Sequence, residues 1–144
     1  MTLIWDDAFM LHLPVIDAQH RQLFTTLSEL EAAMAAGISA AETEALLVRL
    51  QHYAARHFSI EEKYMAQSHY PGLKKHRQAH QEFATTFARM LADCRTGNVA
   101  EPLAARIERQ LSQWLKDHVT GLDQTFGVFY AHYLHELKDA DNSP

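Results

Sequence analysis

The sequence has a single cysteine, Cys94, in 144 residues. One thiol cannot form an intramolecular disulfide, nor hold an iron–sulfur cluster, which needs several thiolates. No stretch approaches the roughly 18 uninterrupted apolar residues of a membrane-spanning helix. Basic residues are in deficit, 13 Lys and Arg against 18 Asp and Glu, for a net charge of −5. Phosphate binding needs a basic face, so the balance argues against nucleic acid as a partner, and no basic cluster suits an anionic membrane. The N-terminus lacks a basic segment followed by an apolar run, so a cytoplasmic protein is expected. β-Branched residues never alternate over a useful length, which removes any strand signal.

What remains is the composition of an ordinary soluble domain, 47% apolar and 22% charged. The length fits one domain with a core that needs no staples. Residues 1–16 read as an irregular arm, with Pro14 arguing against helix there. Asp17 can cap a first helix whose apolar positions are Ile16, Leu23, Leu27, Leu30 and Met34, ending at Gly37. Ser39 and Glu42 form a capping box for a second helix, with Leu46, Leu50, Tyr53, Ile60 and Tyr64 in its stripe. Pro71-Gly72 breaks the chain. A third helix carries Leu73, Phe83, Phe87, Met90 and Cys94, and Gly97-Asn98 makes the next turn. A fourth carries Leu103, Ile107, Leu111, Trp114 and Leu122. A short fifth segment shows Phe126, Tyr130, Tyr133 and Leu137. Short connections between amphipathic helices imply an all-α, antiparallel up-down-up-down four-helix bundle with an N-terminal arm and a short C-terminal helix. The bundle domain is expected over residues 1–138, and 139–144 read as a polar tail.

Histidine is in excess, with ten copies. Five of them fill gaps in the apolar stripes: His20 in the first helix, His57 in the second, His76 and His80 in the third, His118 in the fourth. A buried imidazole without a partner costs about 1–3 kcal/mol, so five on inward faces need a common cause. In an up-down-up-down bundle the starts of helices one and three share an end with the finishes of two and four. His20, His76 and His80 lie near starts; His57 and His118 lie near finishes. All five therefore converge on one layer. Two carboxylates join them. Glu61 lies one turn after His57 on the same face. Asp123 lies five residues after His118, where a regular helix, at about 100° per residue, would swing it about 140° away. It joins the layer only if the backbone deviates, for example by a π-bulge, which Gly121 would tolerate. His12, His52, His69, His132 and His135 belong to no motif and read as surface or arm residues.

Seven ligands are too many for one tetrahedral zinc and too rich in nitrogen for calcium or magnesium. Imidazole suits iron, copper, zinc and nickel. Two metals sharing two carboxylate bridges and a solvent-derived bridge would account for the set. Three histidines would complete one metal; two would leave the other an open position for a small ligand. Neutral imidazoles restrain highly oxidised metal, which favours reversible binding over substrate oxidation.

His20, His57-Phe-Ser-Ile-Glu61, His76-Arg-Gln-Ala-His80 and His118-Val-Thr-Gly-Leu-Asp123 resemble the hemerythrin signature with every ligand position filled. The flanks Trp5-Asp6, Ile16-Asp17 and Glu61-Glu62 are similar to those of bacterial hemerythrins. The resemblance implies a non-haem di-iron centre, two oxo- or hydroxo-bridged Fe ions. His76, His80 and His118 would lie on the saturated iron, His20 and His57 on the open one, with Glu61 and Asp123 bridging. It implies Phe58, Trp114 and Leu115 as lining of an apolar oxygen pocket. The expected ligand is dioxygen, with nitric oxide or azide as further small ligands, and the expected role is carriage, storage or delivery rather than catalysis. The alternatives are a sensor of oxygen, redox state or nitric oxide acting through a separate partner, and a di-iron oxidase or peroxide-handling enzyme. Ferritin-like enzymes use Glu-x-x-His on two helices, a motif that occurs nowhere in this chain. Gln124 departs from the basic residue common after the bridging aspartate.

Overall fold

The computed structural model describes residues 3–97 and 102–142. Among them there is no strand, and no helix is long and apolar enough to cross a membrane. A 3₁₀ turn, Asp7–Phe9, lies in the N-terminal arm. Helix α1 spans Pro14–Ala35, α2 Ala40–Gln67 and α3 Leu73–Thr96. One long C-terminal helix follows, built from Leu103–Ile107, Glu108–Ser112, Gln113–His118, Val119–Asp123 and Gln124–Asp141 without interruption. α1 packs on α2 and on the C-terminal helix, and α3 packs on both as well, so the four helices close a ring. Short connections force neighbours to run antiparallel.

The termini follow local chemistry. Pro14 does not exclude helix: it occupies the first helical position, where its missing N–H costs nothing and its fixed φ suits the helix. Asp17 holds that start together. Its carboxylate accepts from Leu11 N–H at 2.7 Å and Leu13 N–H at 3.1 Å. Ser39 Oγ accepts from Glu42 N–H at 3.1 Å, capping α2 as its sequence implies. α3 ends at Gly97, φ 70°, in the left-handed conformation that favours glycine. Asn98, the other half of that expected turn, lies outside the described residues.

The C-terminal helix differs from expectation in continuity. The segment bearing Phe126 and Tyr130 is helical, but it continues from the fourth helix rather than standing apart, and it runs on to Asp141. Two π-helical turns, Glu108–Ser112 and Val119–Asp123, keep the inward face in phase along this length. The second lies where the His118–Asp123 spacing requires it. Space does not demand glycine there, because a Cβ on Gly121 would meet nothing within 4 Å.

The buried face of α2 is Thr43, Leu47, Leu50, Ala54, His57, Phe58, Glu61 and Met65, with Leu46, Tyr53, Ile60 and Tyr64 only partly covered. The buried stripe is thus rotated from the expected one by about one residue, roughly 100°. Adjacent apolar residues such as Leu46 and Leu47 allow both phases, and the histidine and glutamate decide between them.

Two apolar clusters fill the bundle. The larger joins Leu23, Phe24, Leu27, Leu50, Phe58, Phe83, Phe87, Leu111, Leu115 and Val119 among others. The smaller joins Leu11, Leu13, Ile16, Met65, Phe126 and Tyr130. The arm reaches the smaller cluster by close approach to the C-terminal helix: a Cβ on Gly127 would lie 3.1 Å from Leu11 Cγ. Between the two clusters, on every helix, lies a layer of polar side chains.

Candidate metal centre

That layer holds all seven residues singled out by spacing. His20 comes from α1, His57 and Glu61 from α2, His76 and His80 from α3, His118 and Asp123 from the C-terminal helix. All are buried; His20, Glu61 and Asp123 are wholly inaccessible. The other five histidines, His12, His52, His69, His132 and His135, are exposed.

The carboxylates divide their oxygens. Glu61 Oε1 lies 2.6 Å from His76 Nε2, 3.3 Å from His80 Nε2 and 4.0 Å from His118 Nε2. Asp123 Oδ1 lies 2.9 Å from His76 Nε2 and 3.1 Å from His118 Nε2. The second oxygens face the other way. Glu61 Oε2 is 3.5 Å from His20 Nε2 and 3.3 Å from His57 Nε2, and Asp123 Oδ2 is 3.1 Å from His20 Nε2. Two donor groups result: Glu61, His76, His80, His118 and Asp123, and His20, His57, Glu61 and Asp123. Within each, the donor atoms lie no more than 4.8 Å from one another. Both carboxylates belong to both groups.

These contacts are close but are not hydrogen bonds. Both oxygens of Glu61 and of Asp123, and both ring nitrogens of His20 and of His76, are buried without a hydrogen-bond partner. His80 Nε2 and His118 Nε2 face one another at 3.1 Å, where only one could donate. Buried polar atoms are normally satisfied, and leaving so many unpaired in one layer would cost about 1–3 kcal/mol for each group. Lone pairs that converge without pairing fit cations, and the donor chemistry, imidazole with two shared carboxylates, fits two of them.

Electrostatics within the protein agree. Burial alone would lower the His20 imidazole, but Asp123 and Glu61 override it and raise it to about 10. His118 is raised likewise, against burial, to about 9, chiefly by the Asp123 charge. Burial prevails at His57, which is lowered. Burial opposes ionisation of Glu61 and Asp123, yet the surrounding histidines hold both carboxyls below their ordinary values. Without metal, protons on the histidines balance the two carboxylates.

The apolar wall is aromatic. The Phe58 ring stacks on His80 with centroids 3.9 Å apart and planes 9° from parallel. The Trp114 ring stacks on His118 at 4.5 Å and 11°. Leu115 is buried in the larger apolar cluster, one turn before His118.

Comparison with known proteins places this geometry in a family. The model of the hemerythrin HHE cation binding domain matches residues 12–128. The chain belongs to the hemerythrin family. A bacteriohemerythrin of Stenotrophomonas maltophilia is 30% identical over 124 residues, 86% of this chain and 78% of that protein. A myohemerythrin of Riftia pachyptila is 28% identical over 83% of this chain and 87% of its own length. A bacteriohemerythrin of Pseudomonas aeruginosa is 26% identical over 94% and 86%.

Spacing does not find every residue that shapes the centre. Gln19 and Glu62 each contact a histidine from outside: Gln19 Oε1 lies 2.8 Å from His57 Nδ1, and Glu62 Oε2 lies 2.9 Å from His80 Nδ1. Each adjoins a candidate ligand in sequence, about 100° round its helix, and so points at the neighbouring helix. Gln124 ties the arm to the C-terminal helix. Its amide donates to the arm carbonyls of Phe9 at 3.0 Å and Met10 at 3.2 Å.

Proposed function

We propose that this protein binds dioxygen reversibly at a pair of iron ions, for carriage, storage or delivery. The observation that carries the reading is the division of the Glu61 and Asp123 oxygens between three histidines on one side and two on the other. His76, His80 and His118 would hold one iron, His20 and His57 the other, with both carboxylates bridging. When bound, ferrous iron would supply the electrons that hold dioxygen, and the side held by His20 and His57 would keep the open position.

The chain's own residues favour release over turnover. The ligands would be imidazoles held by packing. Phe58 and Trp114 stack on His80 and His118, and Phe58 also lies 5.8 Å from the His57 ring. With the buried Leu115 they make an apolar wall that would limit the access of water and anions. We therefore read the activity as binding rather than catalysis. The functional unit is the bundle domain, residues 1–138, with 139–144 a polar extension. A cytoplasmic setting, where a lone thiol such as Cys94 stays reduced, agrees with this reading.

An anaerobic-to-oxygenated optical titration with iron counted tests the proposal. Two irons per chain and a coloured adduct that bleaches under vacuum and re-forms are expected. One-way oxidation to a form that never again takes up oxygen would refute it.

A further inference from the structure

The residues behind the histidines differ in charge on the two sides of the centre. His80, in the three-histidine group, is backed by the carboxylate of Glu62 at 2.9 Å. His57, in the two-histidine group, is backed by the neutral amide of Gln19 at 2.8 Å. In both, an outward Nδ1–H donates to the side-chain oxygen, which leaves Nε2 as the inward lone pair. His20 and His76 have no such support, since their Nδ1 atoms are buried without a hydrogen-bond partner. Glu62 and Gln19 thus each support one histidine of a different donor group, and they are chemically unequal.

A carboxylate acceptor makes an imidazole more basic than an amide acceptor does, and it adds a negative charge beside the metal position. Arg77 Nε donates to the other Glu62 oxygen at 2.8 Å. That pairing aims the Glu62 carboxylate at His80. It does not cancel the effect, because the Arg77 side chain is half exposed and its charge is screened by water, whereas Glu62 is only 20% exposed and His80 is buried.

We propose that Glu62 and Gln19 are positioning residues that make the two metal positions unequal: the carboxylate behind His80 makes the three-histidine position tight and first to fill, and the amide behind His57 leaves the two-histidine position weaker and second. The inference rests on the di-metal reading above. Its consequence is an ordered assembly, in which the saturated metal is seated before the one with the open position. The first metal then fixes Glu61 and Asp123 for the second.

Anaerobic titration of the metal-free full chain with Co(II) tests this, since cobalt absorption distinguishes six-coordinate from five-coordinate metal. The wild type should fill in two steps, six-coordinate first. Glu62→Gln, nearly isosteric and partly exposed, should weaken the first step roughly 10–100-fold and leave the second. Glu62→Asp, which keeps the charge, should recover part of that loss. Gln19→Glu should tighten the second step by a comparable factor. In the double exchange, Glu62→Gln with Gln19→Glu, the two steps should draw together. Unchanged first-step affinity in Glu62→Gln, or equal weakening of both steps, overturns the inference while two metals per chain leave the di-metal reading standing. Fewer than two cobalt ions per wild-type chain overturns both.

Discussion

Phe58→Ala removes a ring that does two jobs in one place. It stacks on His80, meets Phe83 edge-on at 5.6 Å and lies 6.0 Å from Trp114. It also lines a groove of about 300 Å³ between α2 and α3, shared with Ala54, Ala55, Phe83, Ala84 and Phe87. A buried Phe→Ala change costs roughly 3–5 kcal/mol. The lower end applies here, because the groove already adjoins the ring and lets water enter the space rather than leaving a sealed void. About 3 kcal/mol corresponds to a fall in Tm of about 10 °C in a domain of this size. The same opening would bring water toward His80 and toward His57, whose ring lies 5.8 Å from Phe58 on the two-histidine side, so the oxygenated form should decay to the oxidised form faster. Phe58→Leu keeps most of the volume, should cost about 1 kcal/mol, and should largely preserve the lifetime of the oxygenated form. Urea unfolding and optical decay of the oxygenated protein measure the two effects. A loss below about 1 kcal/mol with an unchanged decay rate in Phe58→Ala would refute the role assigned to this ring, since the lower bound for a buried Phe→Ala is well above that.

The metal-free protein should have a distinctive pH profile. His20 and His118, raised to about 10 and about 9 from 6.5, contribute stability that is complete below pH 6.5 and lost as pH rises through 9 to 10. Asp123 and Glu61, lowered from 3.8 and 4.5, contribute stability lost as pH falls below those values, and His57, lowered from 6.5, also favours the higher side of the acid range. The urea midpoint of apoprotein should therefore peak in mildly acidic solution and fall on both sides, and a midpoint that climbs steadily to pH 10 would contradict the charge balance described. Loading metal at pH 7 must displace the protons of His20 and His118 and those that the same carboxylates hold on His76, so calorimetry in buffers of different ionisation enthalpy should find at least two protons released per chain. Asp17→Ala strands the buried N–H groups of Leu11 and Leu13 and should cost about 2–5 kcal/mol by urea unfolding; a cost under about 1 kcal/mol would mean that the arm is not held there. Gly127→Val drives a branched side chain into Leu11, already 3.1 Å from an added Cβ, and should cost about 1–3 kcal/mol in the same assay. No loss would show that the arm yields freely.

Much of the centre is legible in the sequence because its parts obey helical spacing. His57 with Glu61, and His76 with His80, are one turn apart on one face, and antiparallel connectivity puts them at one height. Asp123 is legible only conditionally, since a regular helix turns it away, and the π turn Val119–Asp123 is a backbone choice that packing makes. The stripe of α2 is ambiguous in phase where two neighbouring apolar residues compete, and only burial against the other helices distinguishes Leu47 from Leu46. Pro14 carries the signal of a helix breaker, though at the first position of a helix it has no hydrogen bond to lose. Gln19 is beyond the reach of periodicity, and for Glu62 the offset of about 100° from Glu61 allows either a place behind a ligand or a solvated one. Their contacts depend on how α1 is rotated against α2, and α2 against α3, which no single helix encodes. Glu62 can be read as a residue beside a ligand, but not as the partner of His80.

The two ways in which the bundle places a carboxylate explain why the C-terminal helix is continuous. On α2, Glu61 follows His57 by four residues, and a regular helix presents both inward. On the C-terminal helix, Asp123 follows His118 by five, and the extra residue is absorbed as a π turn. A regular α-helix would turn Asp123 out and carry the phase error onward. Phe126 and Tyr130 would then leave the inward face, and the smaller apolar cluster would lose its C-terminal members. That cluster covers one side of the polar layer, so the same local widening of the backbone both delivers the second shared carboxylate and keeps the seal over it. Ending the fourth helix at Asp123 and starting another would deliver the carboxylate but expose unpaired backbone groups beside it. Continuity through Asp141 avoids that cost.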